Sequence, residues 1–140
     1  MPSTLTSAAL RERLAAHDAL LVLTGAGVSV ASGLPVYRGA SQSLYDDPDA
    51  LRYAFAKTLH ADPEGFWKRW ARRRASLRAT KPNPGHEALV RLARSRKRFL
   101  LATQNVDDLH RRAGNEGVVE LHGNALREKC LDYACKAPAW

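Results

Sequence analysis

Two short apolar runs stand out against an otherwise mixed chain, Leu20 to Leu23 and the centre of Arg98 to Thr103. Neither alternates with polar residues, which is the pattern of strands buried on both faces of a parallel sheet. Val118 to Leu121 reads as a third, shorter strand. Elsewhere the spacing is helical. Ser7 to His17 puts Leu10 and Leu14 one turn apart, with Ser7 as N-cap, and should lie against the sheet. Three later helices share one start signal, a capping residue followed by proline at the first helical position: Asp47 and Pro48, Asp62 and Pro63, Asn83 and Pro84. The helix from Pro63 to about Ala79 carries Phe66, Trp67, Trp70 and Leu77 as an aromatic stripe of the kind that packs into a core. The KPNPG segment breaks it, and a helix through His86 to Arg96 leads into the second strand. A helix between two apolar strands is the βαβ arrangement, so the prediction is an α/β fold with a parallel sheet and a helical insertion at 48–80. Leu34 to Tyr45, rich in Gly, Ser and Pro, reads as a loop long enough to close over a ligand.

Size and charge narrow this picture. At 140 residues and 45% hydrophobic content the chain makes one modest domain with enough apolar surface for a core. No apolar run approaches membrane-spanning length and the N-terminus has no long hydrophobic segment, so no membrane partner and a cytoplasmic location are expected. The charge of +8 comes from 22 Lys and Arg against 14 Asp and Glu, clustered at Lys68 to Arg78 and Arg91 to Arg98. Both clusters sit on helices with apolar opposite faces, so a solvated basic face is preferred to a nucleic-acid surface. Cys130 and Cys135 fit a reducing compartment and do not form a disulfide framework.

Candidate chemistry gathers where the strands end. Glycines at 25 and 27 follow the first strand, where the absence of Cβ lets backbone approach a ligand and the next turn offers free N–H groups to an anion such as a pyrophosphate. The full segment is GAGVSVASGLPVYRG; TQNVDDLH follows at Thr103 to His110, and LHGN at Leu121 to Asn124. In order and spacing these three segments resemble the signatures of the sirtuin family, NAD-dependent protein lysine deacylases, and the resemblance runs from about Leu20 to Cys135. It implies a partial Rossmann-like parallel sheet with a helical insertion and half of a small zinc module. A sirtuin continues beyond Trp140, so residues 1–140 read as the N-terminal portion of the catalytic domain, with an incomplete zinc module at 125–140. An unfinished sheet exposes an edge and apolar surface that favour self-association.

The resemblance also implies roles. A sirtuin breaks the nicotinamide–ribose bond of NAD as the acyl oxygen of a modified lysine attacks, releasing nicotinamide and acyl-ADP-ribose; a base then deprotonates the ribose 2′-hydroxyl. His122 is the candidate base, since imidazole titrates near neutral pH. His110 reads as structural, and His17, His60 and His86 carry no specific signal. Asn105 and Asp107 match the residues that hold the nicotinamide carboxamide, and Gln104 the one that reaches the ribose. The plainer reading, that Asn105 and Asp107 cap a helix starting near Asp108, stands beside it. Gly25, Ala26, Gly27, Ser29, Pro35 and Val106 fall within the cofactor-binding segments. Tyr37 is an aromatic wall in place of the usual Phe, Arg38 the loop arginine, and Val36 departs from the usual Asp or Thr. Trp70 and Arg73 occupy positions where sirtuins acting on acidic acyl groups carry Tyr and Arg; Arg73 would pair with the acyl carboxylate, or Trp70 is core and Arg73 solvated. Cys130 and Cys135 are two of the four ligands of a structural zinc, or free thiols. The alternatives are a non-catalytic NAD or ADP-ribose-binding fragment and a basic interaction or nucleic-acid-associated fragment.

Overall fold

Residues 6–36, 51–132 and 134–138 are described by a computed structural model of the chain. The sheet pattern of the sequence is realised as β1 (Ala19–Thr24), β2 (Arg98–Thr103) and β3 (Val119–Glu120), ordered β1-β2-β3 and parallel throughout. Six residue pairs run in register from Ala19↔Arg98 to Thr24↔Thr103, so both strands end level and their following loops emerge side by side. β3 is shorter than expected, two residues instead of four.

The α-helices that accompany these strands are α1 (Ser7–Ala15), α2 (Ala56–Ala61), α3 (Pro63–Ala79), α4 (Pro84–Arg94) and α5 (Leu109–Arg112). The cap-plus-proline signal marks α3 and α4 as predicted. Asp62 accepts from Gly65 N–H at 2.9 Å, and Asn83 accepts from the N–H groups of Gly85 and His86. In α4 the exchange is reciprocal, since His86 Nδ1 accepts from Asn83 N–H at 3.2 Å in the place a Glu or Gln takes in a capping box. The predicted start at Asp47 and Pro48 lies outside the described residues. α1 is capped by Thr6 rather than Ser7, and no residue of it is buried; Leu10 is 45% exposed. Two leucines among SAALRERLAAH make too narrow a stripe to hold it down, which corrects the expectation that it packs on the sheet.

Burial is also one-sided where the sequence suggested two. Side chains alternate across a strand and registered partners share a face. Leu20, Val22, Phe99 and Leu101 therefore face one way, and Leu21, Leu23, Leu100 and Val119 the other. The second set is bare: Leu21 is 70% and Leu23 61% exposed. The main apolar cluster lies elsewhere, where Leu34, Leu77, Leu109 and Ala125 meet, with Trp70, Val106 and Leu126 packed against them. The aromatic stripe of α3 is thus divided. Trp70 joins the cluster, while Trp67, one residue round from Phe66, leaves 44% of its surface exposed and carries Arg74 over its ring.

Candidate active site

At the level ends of β1 and β2 the chain turns into two loops that close on each other. After β1, Ala26–Ser32 is a 3₁₀ helix ended by Gly33 in the left-handed region (φ +84°), a conformation that suits glycine. It is tighter than the helical turn expected. After β2, Asn105 and Asp107 fold back and are buried beside buried Ser29. Asn105 donates through Nδ2 to Gly25 O at 3.0 Å and to Ser29 Oγ at 3.1 Å; Ser29 Oγ donates to Asp107 Oδ2 at 2.7 Å. Because Gly25 offers a carbonyl, the Asn105 atom facing it has to be nitrogen, which turns Oδ1 away. That Oδ1 accepts no hydrogen bond from another described residue. Asp107 Oδ1 takes Leu109 N–H at 3.0 Å, so Asp107 does help start α5, while Asn105 reaches across to β1 and caps nothing.

Ala26, Ser29, Pro35, Asn105, Val106 and Asp107 line one recess, together with Leu34 and Arg73. Its polar floor has its donors used inside the protein and keeps acceptor lone pairs on Asn105 and Asp107. Such a floor suits the NH₂ of a ligand amide. Cβ atoms added at Gly25 or Gly27 would meet no described residue within 4 Å, so the described residues leave space beside the β1 turn.

Behind the recess lies a buried polar layer. Thr24 Oγ1 donates to Thr103 Oγ1 at 2.9 Å and lies 2.8 Å from His110 Nε2. With the single hydroxyl hydrogen of Thr24 directed at Thr103, His110 Nε2 is the donor, and its Nδ1 has no partner among the described residues. His86 packs against His110 with ring centroids 4.8 Å apart and the ring planes tilted by 59°. Burial pushes His110 down to about 4, aided by the adjacent His86 and opposed by Asp107; burial lowers His86 as well.

Residues 25–139 match the Sir2 family. The chain belongs to that family. An NAD-dependent protein deacylase of Thermus thermophilus is 48% identical over 124 residues, covering 86% of this chain and 48% of that protein. The one from Ralstonia nicotianae is 43% identical over 138 residues, covering 94% of this chain and 55% of its own length. Among solved structures, a Sir2 homologue in complex with NAD superposes with a TM-score of 0.65 at 37% identity, covering 86% of this chain and 46% of that one. Another, from work on sirtuin substrate affinity, reaches a TM-score of 0.76 at 28% identity over 96% of this chain and 53% of that one. The chain spans about half the length of the curated relatives it matches.

Several sirtuin-like positions lie outside the recess. His122 is exposed just past β3, and Gln104 is exposed with its N–H on Thr24 O at 3.0 Å. Trp70 faces the apolar cluster and donates Nε1 to Tyr53 O at 3.1 Å, the core role, whereas Arg73 reaches the recess lining. Tyr37 and Arg38 lie outside the described residues. Cys130 and Cys135 are half-buried free thiols; Cys135 is held below the usual thiol range by the Ala137 N–H and the Cys130 thiol. Among the described residues no group of three or more metal-ligating side chains forms.

Sequence reasoning missed His86, Arg74 and the two threonines. For His86 a signal existed, an acceptor side chain at the third helical position after Asn83. Arg74 donates to Ala125 O at 2.8 Å, to Arg127 O at 3.4 Å and to the Glu128 carboxylate, tying the segment before the cysteines to α3. Nothing in its local sequence marks it out from Lys68, Arg69, Arg72 and Arg73 beside it.

Proposed function

We propose that this chain carries the nicotinamide- and ribose-facing half of an NAD-dependent protein lysine deacylase. The observation that carries the reading is the Gly25–Asn105–Ser29–Asp107 network, whose side-chain donors are used within it and which leaves acceptors on Asn105 and Asp107 for a ligand carboxamide. NAD, when bound, supplies a ribose carbon that accepts the acyl oxygen as nicotinamide departs. Asn105 Oδ1 and the Asp107 carboxylate accept the carboxamide hydrogens and orient the leaving group. The open space beside Gly25 and Gly27 admits the phosphates. Gln104, exposed beside the recess, reaches the ribose, and the family resemblance assigns cofactor contacts to Tyr37 and Arg38 as well. His122 takes the 2′-hydroxyl proton on a ring nitrogen. Arg73 offers the recess a fixed positive charge, which favours an acyl chain ending in a carboxylate over acetyl, with Trp70 serving as its packing support. Cys130 and Cys135 supply two thiolates of a zinc site whose other two donors come from elsewhere.

The test is nicotinamide release from NAD with acetyl-lysine and succinyl-lysine peptides, run beside His122→Ala. Multiple-turnover release that needs both peptide and His122 is expected, since the base acts after nicotinamide has left and is needed to complete each cycle. A folded chain that binds NAD in calorimetry but releases nothing would reduce it to a cofactor-binding fragment; one that does not bind NAD overturns the reading.

A further inference from the structure

The side chain of His122 makes no hydrogen bond to another described residue, so its place is fixed through its backbone. The backbone is held on both sides. Leu121 N–H donates to Thr103 O at 2.9 Å and Ala125 N–H to Val106 O at 2.9 Å, which lays the segment along the loop that carries Asn105 and Asp107. Between these anchors Asn124 uses every polar atom of its side chain. Nδ2 donates to Asp108 Oδ1 and to Glu120 Oε1, both at 2.8 Å, and Oδ1 accepts from Leu126 N–H at 2.9 Å.

Asp108 is arranged for this contact. It has φ +65°, the one non-glycine residue with positive φ among those described, and its side chain does not cap α5 although it stands at the N-cap position. Left-handed backbone is unfavourable for most side chains, and Asp tolerates it better than most. The carboxylate is thereby turned away from the helix start and toward Asn124. Glu120, the other acceptor, is held in turn by Arg111 Nε at 3.0 Å. A neutral amide donor between two carboxylates satisfies both; a third carboxylate there would repel them.

We infer that Asn124, through Asp108 and Glu120, is a positioning residue that fixes the His122–Gly123 turn against the Asn105–Asp107 loop. This rests on the reading of His122 as the base, but the tether itself is measurable without turnover. The experiment is ¹⁵N relaxation on the 140-residue chain, comparing the His122 and Gly123 amides with Leu101 and Val90. Asn124→Ala and Asp108→Gly should each lower the heteronuclear NOE at His122 and Gly123 and leave Leu101 and Val90 unchanged. The double variant should be no looser than Asn124→Ala alone, because that change has already removed the bond to Asp108. Asp108→Asn keeps an Oδ1 acceptor and tolerates the left-handed backbone, and should restore the wild-type value. In nicotinamide release, Asn124→Ala should lower kcat by roughly 10- to 100-fold with little change in KM for NAD, as misplacement of a catalytic group does. Unchanged relaxation at His122 in Asn124→Ala, additive loosening in the double variant, or failure of Asp108→Asn to restore order would each overturn the inference. If Asn124→Ala does not fold, Asp108→Gly against Asp108→Asn decides alone. A tether confirmed in a chain whose release is insensitive to His122→Ala would retain the positioning contact and reject the base.

Discussion

Acidification should destabilise this protein through its buried histidine pair. His110 is 2% exposed, with one ring nitrogen on Thr24 and the other without a partner among the described residues; His86 lies against it with an equally unpartnered Nε2. A proton on either ring places a cation in this layer, where Asp107 is the opposing charge and the second imidazole is an unfavourable neighbour. The folded value of about 4 for His110 lies below the ordinary 6.5. Between those values the unfolded chain binds more protons, so the contribution is complete above about pH 6.5 and declines as pH falls toward 4. A tenfold change in proton affinity between the folded and unfolded chain is worth about 1.4 kcal/mol, so His110 alone removes about 2 kcal/mol by pH 5 and about 3 kcal/mol in full. Against a typical domain stability of about 5–15 kcal/mol this is large. Asp62, whose carboxyl is lowered by the Gly65 N–H and Tyr53, stabilises above its ordinary value of 3.8 and loses that contribution only at lower pH, outside this window. The assay is urea unfolding followed by circular dichroism at pH 8, 7, 6 and 5, on the wild type and on His110→Gln. The midpoint should fall with pH in the wild type and much less in the variant. A flat wild-type profile, or an equal slope in both, would refute the reasoning.

Other outcomes follow from single contacts. Ser29→Ala strips a buried hydroxyl from both Asp107 and Asn105 and should lower unfolding free energy by about 1–3 kcal/mol in urea titrations while weakening NAD binding in calorimetry. Arg74→Ala should cost about 2 kcal/mol, from a side chain only 15% exposed with charged hydrogen bonds, and should open residues 125–138 to limited proteolysis before the rest of the chain. Arg73→Met should lower nicotinamide release with succinyl-lysine peptide by about tenfold or more and leave the acetyl-lysine rate near wild type. The bare face predicts elution ahead of the monomer position in size-exclusion chromatography, returning to monomer in Leu21→Lys/Leu23→Glu; a wild-type monomer at high concentration would count against it.

Much of the framework was legible because its signals are local. β1 and β2 begin and end where their apolar runs do, and Asp62–Pro63 and Asn83–Pro84 announce α3 and α4 through geometry contained in four residues. The recess was legible as two of the three motif segments, since strand ends in a parallel sheet bring their loops together. What was not legible depends on distance. A continuous apolar run says nothing about whether both faces are covered, so Leu21 and Leu23 read as core. Trp67 and Trp70 look alike in sequence and differ only in which side of α3 meets Leu34 and Leu109. The packing of His86 against His110 and the reach of Arg74 to residues 125–128 arise from tertiary closure alone.

The bonds that close the recess connect residues far apart in the chain: Ser29 to Asp107 spans 78 positions, Thr24 to Thr103 spans 79 and Thr24 to His110 spans 86. The entropy of closing such a loop grows only logarithmically, by about 0.6 kcal/mol for each doubling of its length. A change of a few residues in the length of the chain between Ser29 and Asp107 therefore alters the closure term by only a small fraction of that amount. The ligand floor is set by the register of two strands together with the contacts that return to it from α3 and α4, through Arg73, Leu77 and His86, and the length of chain between those contacts carries little of the cost.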